Sequence, residues 1–444
     1  MKIVIIGGGF AGLNLAKHLA GNQLFDITLV DKNNYHLFPP LLYQVSTAFI
    51  EASNISYPFR RMFQYKENLH FHLGELKNIV AADNKIETSD GDLNYDYLVL
   101  AMGTETNYYG LENIKKQALP MKTIDDAIRL RNHLLLNAEK AVRTIDAVDK
   151  GRFQNIVISG GGPTGVEVAG MLAEMMRTII NKDYPELKNT QGTIYLIGSG
   201  KALLGPMSGK SQAEAYKILD KLGVQIKLNT AVKDYVDGNI LLSTGECIPS
   251  ATLVWASGVI APQVPGLPDI TMSRGNRIIV DKFNKIEGTP NIFAIGDQSF
   301  QTTDAGYPNG HPQLAQVAIQ QGILLASNFK RLQSGQELKA FKYRNKGSMA
   351  IISKYKAVVD LPKGFFKGMP AWFVWLFVHI IPIVGFGNKA KLAYNWFWAL
   401  ITNDPALRLI IRPKKDEITI NENGTIDIEN PKEQFKLGRN YTGR

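Results

Sequence analysis

Glycines stand at positions 7, 9 and 12 and again at 160, 162 and 165, each triad closing a short apolar run and opening a helical pattern. In KIVIIGGGFAG and in IVISGGGPTGVEVAG the first glycine permits a tight turn. The second lets the backbone approach a pyrophosphate, and the third lets the helix pack closely on the strand. The helix start adds amide donors and a favourable dipole. This is the chemistry of holding a dinucleotide, and the chain carries the pattern twice. After the first cradle the apolar run DITLVD ends in Asp31, where a carboxylate takes the ribose hydroxyls of an adenosine. After the second, TIYLIGSG ends in Gly198-Ser199 with Lys201 beyond, and no carboxylate stands at the equivalent place.

Three more strand ends suit the same ligands. YDYLVLAMGTETN ends in a small-residue turn at Ala101–Gly103, and NIFAIGD ends in Gly296-Asp297. ATLVWASG ends in small residues up to Gly258, which leaves room for a nicotinamide or simply packs a sheet edge. Two dinucleotide sites in one chain imply a flavin held in one and a nicotinamide delivering hydride from the other. The missing acid at Gly198 leaves NADH and NADPH both open. Glu167 sits on the first turn of the second cradle's helix. It is either a carboxylate complementing the helix dipole or one close to the reacting rings. In AQVAIQQG, Gln316 and Gln320 lie four apart on one helix face. Their amides suit a quinone carbonyl or a flavin edge, or are ordinary polar helix positions. HLFPPLLY is a rigid apolar loop that suits covering a flat ring, or a plain hydrophobic loop. No catalytic nucleophile or metal is called for.

The elements that must position these residues are strand–glycine turn–helix units of an α/β fold. The reading is two Rossmann-like domains plus an amphipathic-helix membrane-anchoring segment. A discontinuous FAD domain occupies 1–115 and 280–335, an NAD(P)H domain 116–279, and the C-terminal segment 336–444. The 444 residues, 45% apolar and 20% charged, are enough for two or three cored domains. The single cysteine, Cys247, excludes an internal disulfide. KIVIIGGG is a strand at the very start, so neither a secretory signal nor a transit peptide is expected.

The net charge of +10 is carried by residues 339–444, with 18 Lys/Arg against 8 Asp/Glu, and the remainder is neutral in sum. PAWFVWLFVHIIPIVGF (370–386) is interrupted by His379 and Pro382 and falls short of the roughly 20 residues a span requires. KAKLAYNWFWALI and LRLIIRPKK follow, with aromatic and basic residues together. Apolar faces with Trp and flanking cations fit an interfacial helix on an anionic lipid surface. A buried hairpin or a dimer interface is the alternative, and a homodimer is compatible with both. Cations flanking long apolar runs do not make the open basic stripe of nucleic-acid binding. His379 reads as a packed histidine, and residues 416–444 as a polar surface arm.

Residues 1 to about 335 resemble the flavoproteins with two dinucleotide-binding domains. Disulfide reductases and sulfide:quinone reductases of that superfamily need a cysteine pair, which this chain lacks. YHLFPPLLYQVS (35–46), GGGPTGVEVAG (160–170), WASGVIAP (255–262), AIGD (294–297) and AQVAIQQG (315–322) resemble the type II NADH:quinone oxidoreductases. The resemblance implies that Asp31 binds the FAD adenosine ribose and Asp297 the ribityl or phosphate region. It puts Pro39, Tyr43 and Gln44 near the isoalloxazine, and Gln316, Gln320 and Gln321 along the flavin and quinone pocket. Glu167 then stands where the nicotinamide and quinone sites meet. The implied activity is ping-pong: hydride passes from the nicotinamide to FAD, and two electrons pass on to a membrane quinone, ubiquinone or menaquinone. The expected location is the cytoplasmic face of the membrane, peripheral and without proton pumping. Gly198 departs from the family's usual acid. Two alternatives remain at this level: a soluble NAD(P)H-dependent flavin reductase with a protein acceptor, and a non-catalytic flavin-bound membrane sensor.

Overall fold

KIVII and DITLV are almost uninterrupted apolar runs, as strands buried on both faces of a parallel sheet must be. In the computed structural model they form β1 (Lys2–Ile6) and β2 (Asp26–Asp31), joined by α1 (Phe10–Leu19). The short helix α2 (Leu42–Ser46), β3 (Leu69–Leu73) and β4 (Tyr97–Leu100) follow, with a three-stranded antiparallel sheet between β3 and β4. The structure describes residues 1–188, 190, 192–267, 272–402, 407–411, 418–420 and 426–428.

The pattern then repeats. β5 (Leu119–Pro120) leads to α3 (Ile124–Arg143), whose start is fixed by a reciprocal capping box between Thr123 and Asp126. β6 (Ile156–Ser159), α4 (Pro163–Met175) and β7 (Ile194–Ile197) form the second strand–helix–strand unit, with Pro163 in the first helical turn. α5 (Gly209–Lys221), β8 (Gln225–Lys227), another three-stranded sheet and β9 (Thr252–Trp255) complete it. The chain returns to the first domain through β10 (Ile292–Ala294) and α6 (Ala315–Gln333), which packs against α1.

The two sheets share a spatial arrangement but not a connectivity, since the outer strand is the last of the first domain and the first of the second. The first runs β10-β4-β1-β2-β3 and the second β5-β9-β6-β7-β8, all parallel. Each places its glycine turn at the carboxyl end of the central strand, where open α/β sheets bind ligands.

Residues 336–444 contain more than anchoring helices. β11 (Ser348–Ser353), β12 (Lys356–Leu361) and β13 (Gly364–Lys367) form an antiparallel sheet whose first strand packs on α4. Only then come α7 (Gly368–Ile380) and α8 (Phe386–Thr402), separated by a turn containing Pro382, which cannot continue a helix. Among the described residues no helix is long and apolar enough to cross a membrane. Met1–Arg408 form one unit and Leu409–Arg444 another. Within the second, Ile418–Ile420 and Ile426–Ile428 pair antiparallel, and the rest of the expected surface arm lies outside the described residues.

Candidate functional site

The glycines of both cradles stand as their spacing requires. Gly7 and Gly160 adopt φ of +103° and +127°, which side chains rarely tolerate. A Cβ on Gly7 would overlap the Ala101 carbonyl, and one on Gly160 the Ala256 carbonyl. A Cβ on Gly12 would strike the Gly7 carbonyl oxygen, and one on Gly165 that of Gly160. Gly9 and Gly162 have nothing within 4 Å of that position, so each middle glycine faces open space. That is the space a pyrophosphate needs.

The residues that follow differ. The Gly7 amide donates to the Val30 carbonyl at 2.7 Å, and the Gly160 amide donates to that of Ile197 at 2.8 Å. The next positions, Asp31 and Gly198, are therefore equivalent. The Asp31 carboxylate accepts from the Gly8 amide at 2.7 Å and the Asn33 amide at 2.8 Å. Burial raises its pKa, while these amides act in the opposite direction. At Gly198 a Cβ would find only ordinary contacts, 3.5 Å from Gly161 Cα and Leu228 Cδ2. The fold does not require a glycine there.

The strand-end turns converge on the first cradle. The Ala101 amide donates to the Ile6 carbonyl at 2.8 Å, and Gly103 takes the left-handed φ of its turn. The Gly296 amide donates to Gln321 Oε1 at 2.7 Å, which pins the second turn to α6. Asp297 beside it has its pKa raised by burial and drawn back by the charges of Lys122 and Arg277. Lys122 Nζ donates to Thr104 Oγ1 at 2.6 Å. Gln298 Oε1 accepts from the Met102 amide at 3.1 Å, and its Nε2 is a buried donor with no partner. The open glycine face, the carboxylate of Asp31 and this orphaned donor together fit FAD. Lys122, Gln298 and His36 escape sequence reading. His36 Nδ1 lies 2.9 Å from the Gly8 carbonyl, and burial pulls its pKa down to about 4, so the ring is neutral.

A second group of residues joins the cradles to the C-terminal helices. Pro39 opens a single 3-10 turn that leads into α2, which carries the buried Tyr43 and Gln44. Gln44 Nε2 donates to the Tyr43 hydroxyl at 3.1 Å, and Trp396 Nε1 donates to Gln44 Oε1 at 2.9 Å. Trp375 lies against Tyr43 with ring centroids 6.4 Å apart and stacks on His379 at 3.9 Å. His379 is packed, as its sequence context suggests, and burial lowers its pKa to about 4. Glu167 projects from α4 toward β11. Desolvation raises its pKa to about 8, while a hydrogen bond with the Ile351 backbone opposes the rise. It lies close enough to Tyr43 to help burial raise the phenol's pKa. Gly258, with φ +154°, lies under Tyr109, whose hydroxyl donates to the Ser257 carbonyl at 2.9 Å.

Gln316 and Gln320 have a use the sequence does not suggest. Gln316 Nε2 donates to the Gly347 carbonyl at 2.9 Å, and its Oε1 accepts from the Lys346 amide at 3.1 Å. Gln320 makes the same pair of bonds with the Arg344 backbone, at 3.0 and 3.1 Å. Both amides thus clamp the 344–347 loop that leads into β11. Gln321, one position on, faces the other way and is fully buried against Gly296 and Ser299.

Residues 1–322 match the pyridine nucleotide-disulphide oxidoreductase family. The chain is 34% identical over 412 residues to the type II NADH:quinone oxidoreductase NdhA of Mycobacterium tuberculosis, covering 89% of this chain and 86% of the relative. It is 27% identical over 364 residues to a type II NADH:quinone oxidoreductase of Staphylococcus haemolyticus, covering 80% and 89%. Among solved structures, NDH2 from Plasmodium falciparum in complex with NADH superposes with a TM-score of 0.85 at 22% identity, covering 93% of this chain and 99% of that one. With twin cradles of one geometry and a relative this similar over most of both lengths, the chain belongs to the type II NADH:quinone oxidoreductases.

Proposed function

We propose that this protein moves a hydride from NADH to FAD and two electrons on to a quinone, with one proton taken up from its surroundings. The overall change is NADH + H⁺ + quinone → NAD⁺ + quinol. In this reading residues 1–115 and 280–335 hold FAD and residues 116–279 admit the nicotinamide. The observation that carries it is the pair of glycine cradles, each with an open middle glycine at a sheet's carboxyl edge. When bound, the flavin accepts a hydride and releases two electrons.

The chain's own groups bind, orient and hold a proton. Asp31 supports the adenosine ribose, while Asp297 and Lys122 lie at the strand ends beside the first cradle. Gly258 and Tyr109 form the floor on the nicotinamide side. Glu167, with its pKa raised to about 8, is mostly protonated at neutral pH and holds its proton on a carboxyl oxygen. It is the group to deliver that proton as the quinone is reduced. Gln316 and Gln320 act as positioning residues, since they hold the loop leading to the strand Glu167 faces.

The reading extends to a membrane surface. Phe373, Phe377, Ile381 and Phe386 on α7, its turn and α8 are exposed, and the +10 of residues 339–444 suits an anionic leaflet. A homodimer would set two such faces side by side, and sedimentation equilibrium tests it.

The experiment is anaerobic stopped-flow. NADH should bleach the flavin absorbance, and a pulse of short-chain quinone should restore it. Bleaching without recovery would point to a protein acceptor, and no bleaching would overturn the proposal.

A further inference from the structure

We propose that the pocket between α1 and the turn joining α7 to α8 is a site for one acidic phospholipid. Its phosphate is held between the ammonium groups of Lys17 and Lys389, and its acyl chain lies along Ile381–Val384. The proposal rests on the membrane-surface reading above and makes it specific to one lipid at one place.

The pocket has a volume of 570 Å³, within the range of small-molecule sites. Phe10, Leu13, Ile319 and Phe386 give it apolar walls, and no Asp or Glu lines it. Lys17 and Lys389 are its cations. Lys389 Nζ donates to the Ile381 carbonyl at 2.7 Å, which fixes the ammonium over the turn and leaves it two further N–H groups. Burial and the nearby charge of Lys389 both lower the pKa of Lys17. Among the described residues neither lysine has a carboxylate partner. Two like charges thus meet at the mouth of a largely apolar pocket, Lys17 exposed and Lys389 half-buried, with no carboxylate partner among the described residues. His36, also in the wall, is neutral and bonded to Gly8, so the site offers two cations.

The location supports a lipid over a soluble anion. The pocket's rim is the exposed apolar turn, with Ile381 56% and Phe386 87% accessible, and these are the groups a membrane interface would cover. The turn is sterically fixed: Gly385 has φ +83° and its Cβ position runs into the Tyr57 ring. Asn388 Nδ2 ties the start of α8 to the Ser53 and Ser56 carbonyls at 3.1 and 2.9 Å. A neutral quinone head would leave both ammonium charges uncompensated, so charge complementarity favours the phosphate diester.

The test uses the purified full-length, FAD-loaded protein in detergent. Native mass spectrometry would follow retention of added phosphatidylglycerol against phosphatidylcholine. The double variant Lys17→Gln/Lys389→Gln is compared with Lys115→Gln/Lys116→Gln, which removes the same charge from an exposed helix elsewhere. One phosphatidylglycerol per chain is expected on the wild type. Its retention should fall at least about tenfold in the first variant and stay unchanged in the second. Equal retention in all three proteins, equal loss in both variants, or one-for-one displacement by a short-chain quinone would each overturn the assignment. Flavin bleaching by NADH, unchanged in every variant, certifies folding. Co-sedimentation of the wild type with phosphatidylglycerol vesicles separates the two levels: its failure sinks the membrane reading itself, while success with an unselective pocket sinks only the lipid site.

Discussion

The first and second cradles have the same central strand with the next two strands following on one side, the same positive-φ glycine against a facing alanine carbonyl, and the same third glycine against the first one's carbonyl oxygen. They part in charge at the strand end, where the first carries Asp31 and the second Gly198. Glycines thus set the path of the backbone, and the strand-end side chain sets what that backbone prefers to hold. At Gly198 a Cβ would meet only ordinary contacts, so local packing does not demand the glycine.

The largest effect separates the two cradles outright. Gly12→Val should reduce bound FAD at least about tenfold, since the added carbons overlap the Gly7 carbonyl. Gly165→Val should keep FAD and slow its bleaching by NADH about a hundredfold. Flavin absorbance of the purified variants and stopped-flow check both, and equal loss of FAD in both would break the assignment of one ligand to each. Next, Gly198→Glu should raise the preference for NADH over NADPH about 10–100-fold, because a carboxylate repels a 2′-phosphate and accepts from a 2′-hydroxyl. The ratio of the two kcat/KM values, and of the two Kd values by fluorescence quenching, is the measurement. An unmoved ratio would mean that coenzyme choice resides elsewhere in the second domain.

Glu167 sharpens the comparison further, since burial is the largest influence on both carboxyls and raises both. The Gly8 and Asn33 amides and the Lys32 charge oppose it at Asp31, and only one backbone bond, with Ile351, at Glu167. A carboxyl group with its pKa near 8 is protonated below that pH and loses its proton above it. Reoxidation of the flavin by quinone should therefore fall about tenfold per pH unit above pH 8, while reduction by NADH does not follow this profile. Glu167→Gln should flatten the profile and slow reoxidation about tenfold or more. A wild-type profile in the variant would remove its role. The smallest effect belongs to the clamp: Gln316→Ala/Gln320→Ala should lower Tm by about 2–4 °C and leave FAD bound, as thermal denaturation followed by flavin release would record.

The glycine triads, Asp31 and the strand ends at Ala101, Gly258 and Gly296 are legible in the sequence because their causes are local. A turn needing positive φ and a helix packed close to a strand both leave their mark within a dozen residues. The raised pKa of Glu167 is not local, since it depends on packing against β11, and its backbone bond is with Ile351, far along the chain. The same holds for Gln316 and Gln320, which look like polar positions on a helix face until the 344–347 loop folds onto them. The sheet of β11–β13 is masked by the strongly hydrophobic helices that follow it. Lys122 precedes a capping box and reads as loop, yet the interleaving of the two domains sets it within electrostatic reach of Asp297.

That interleaving also has a consequence during synthesis. β4 and β10 are neighbours in the first sheet, but Leu100 and Ile292 are separated by the whole second domain. At a translation rate of about 5–20 residues per second, the ribosome needs about 10–40 s to bring β10 out after β4. Through that interval the emerging first domain lacks one edge of its sheet, and α1 lacks the helix that covers it. The second domain, all of whose strands are contiguous between β5 and β9, is free to fold first. The first sheet closes, and α1 gains its covering helix, only when β10 and α6 have both emerged.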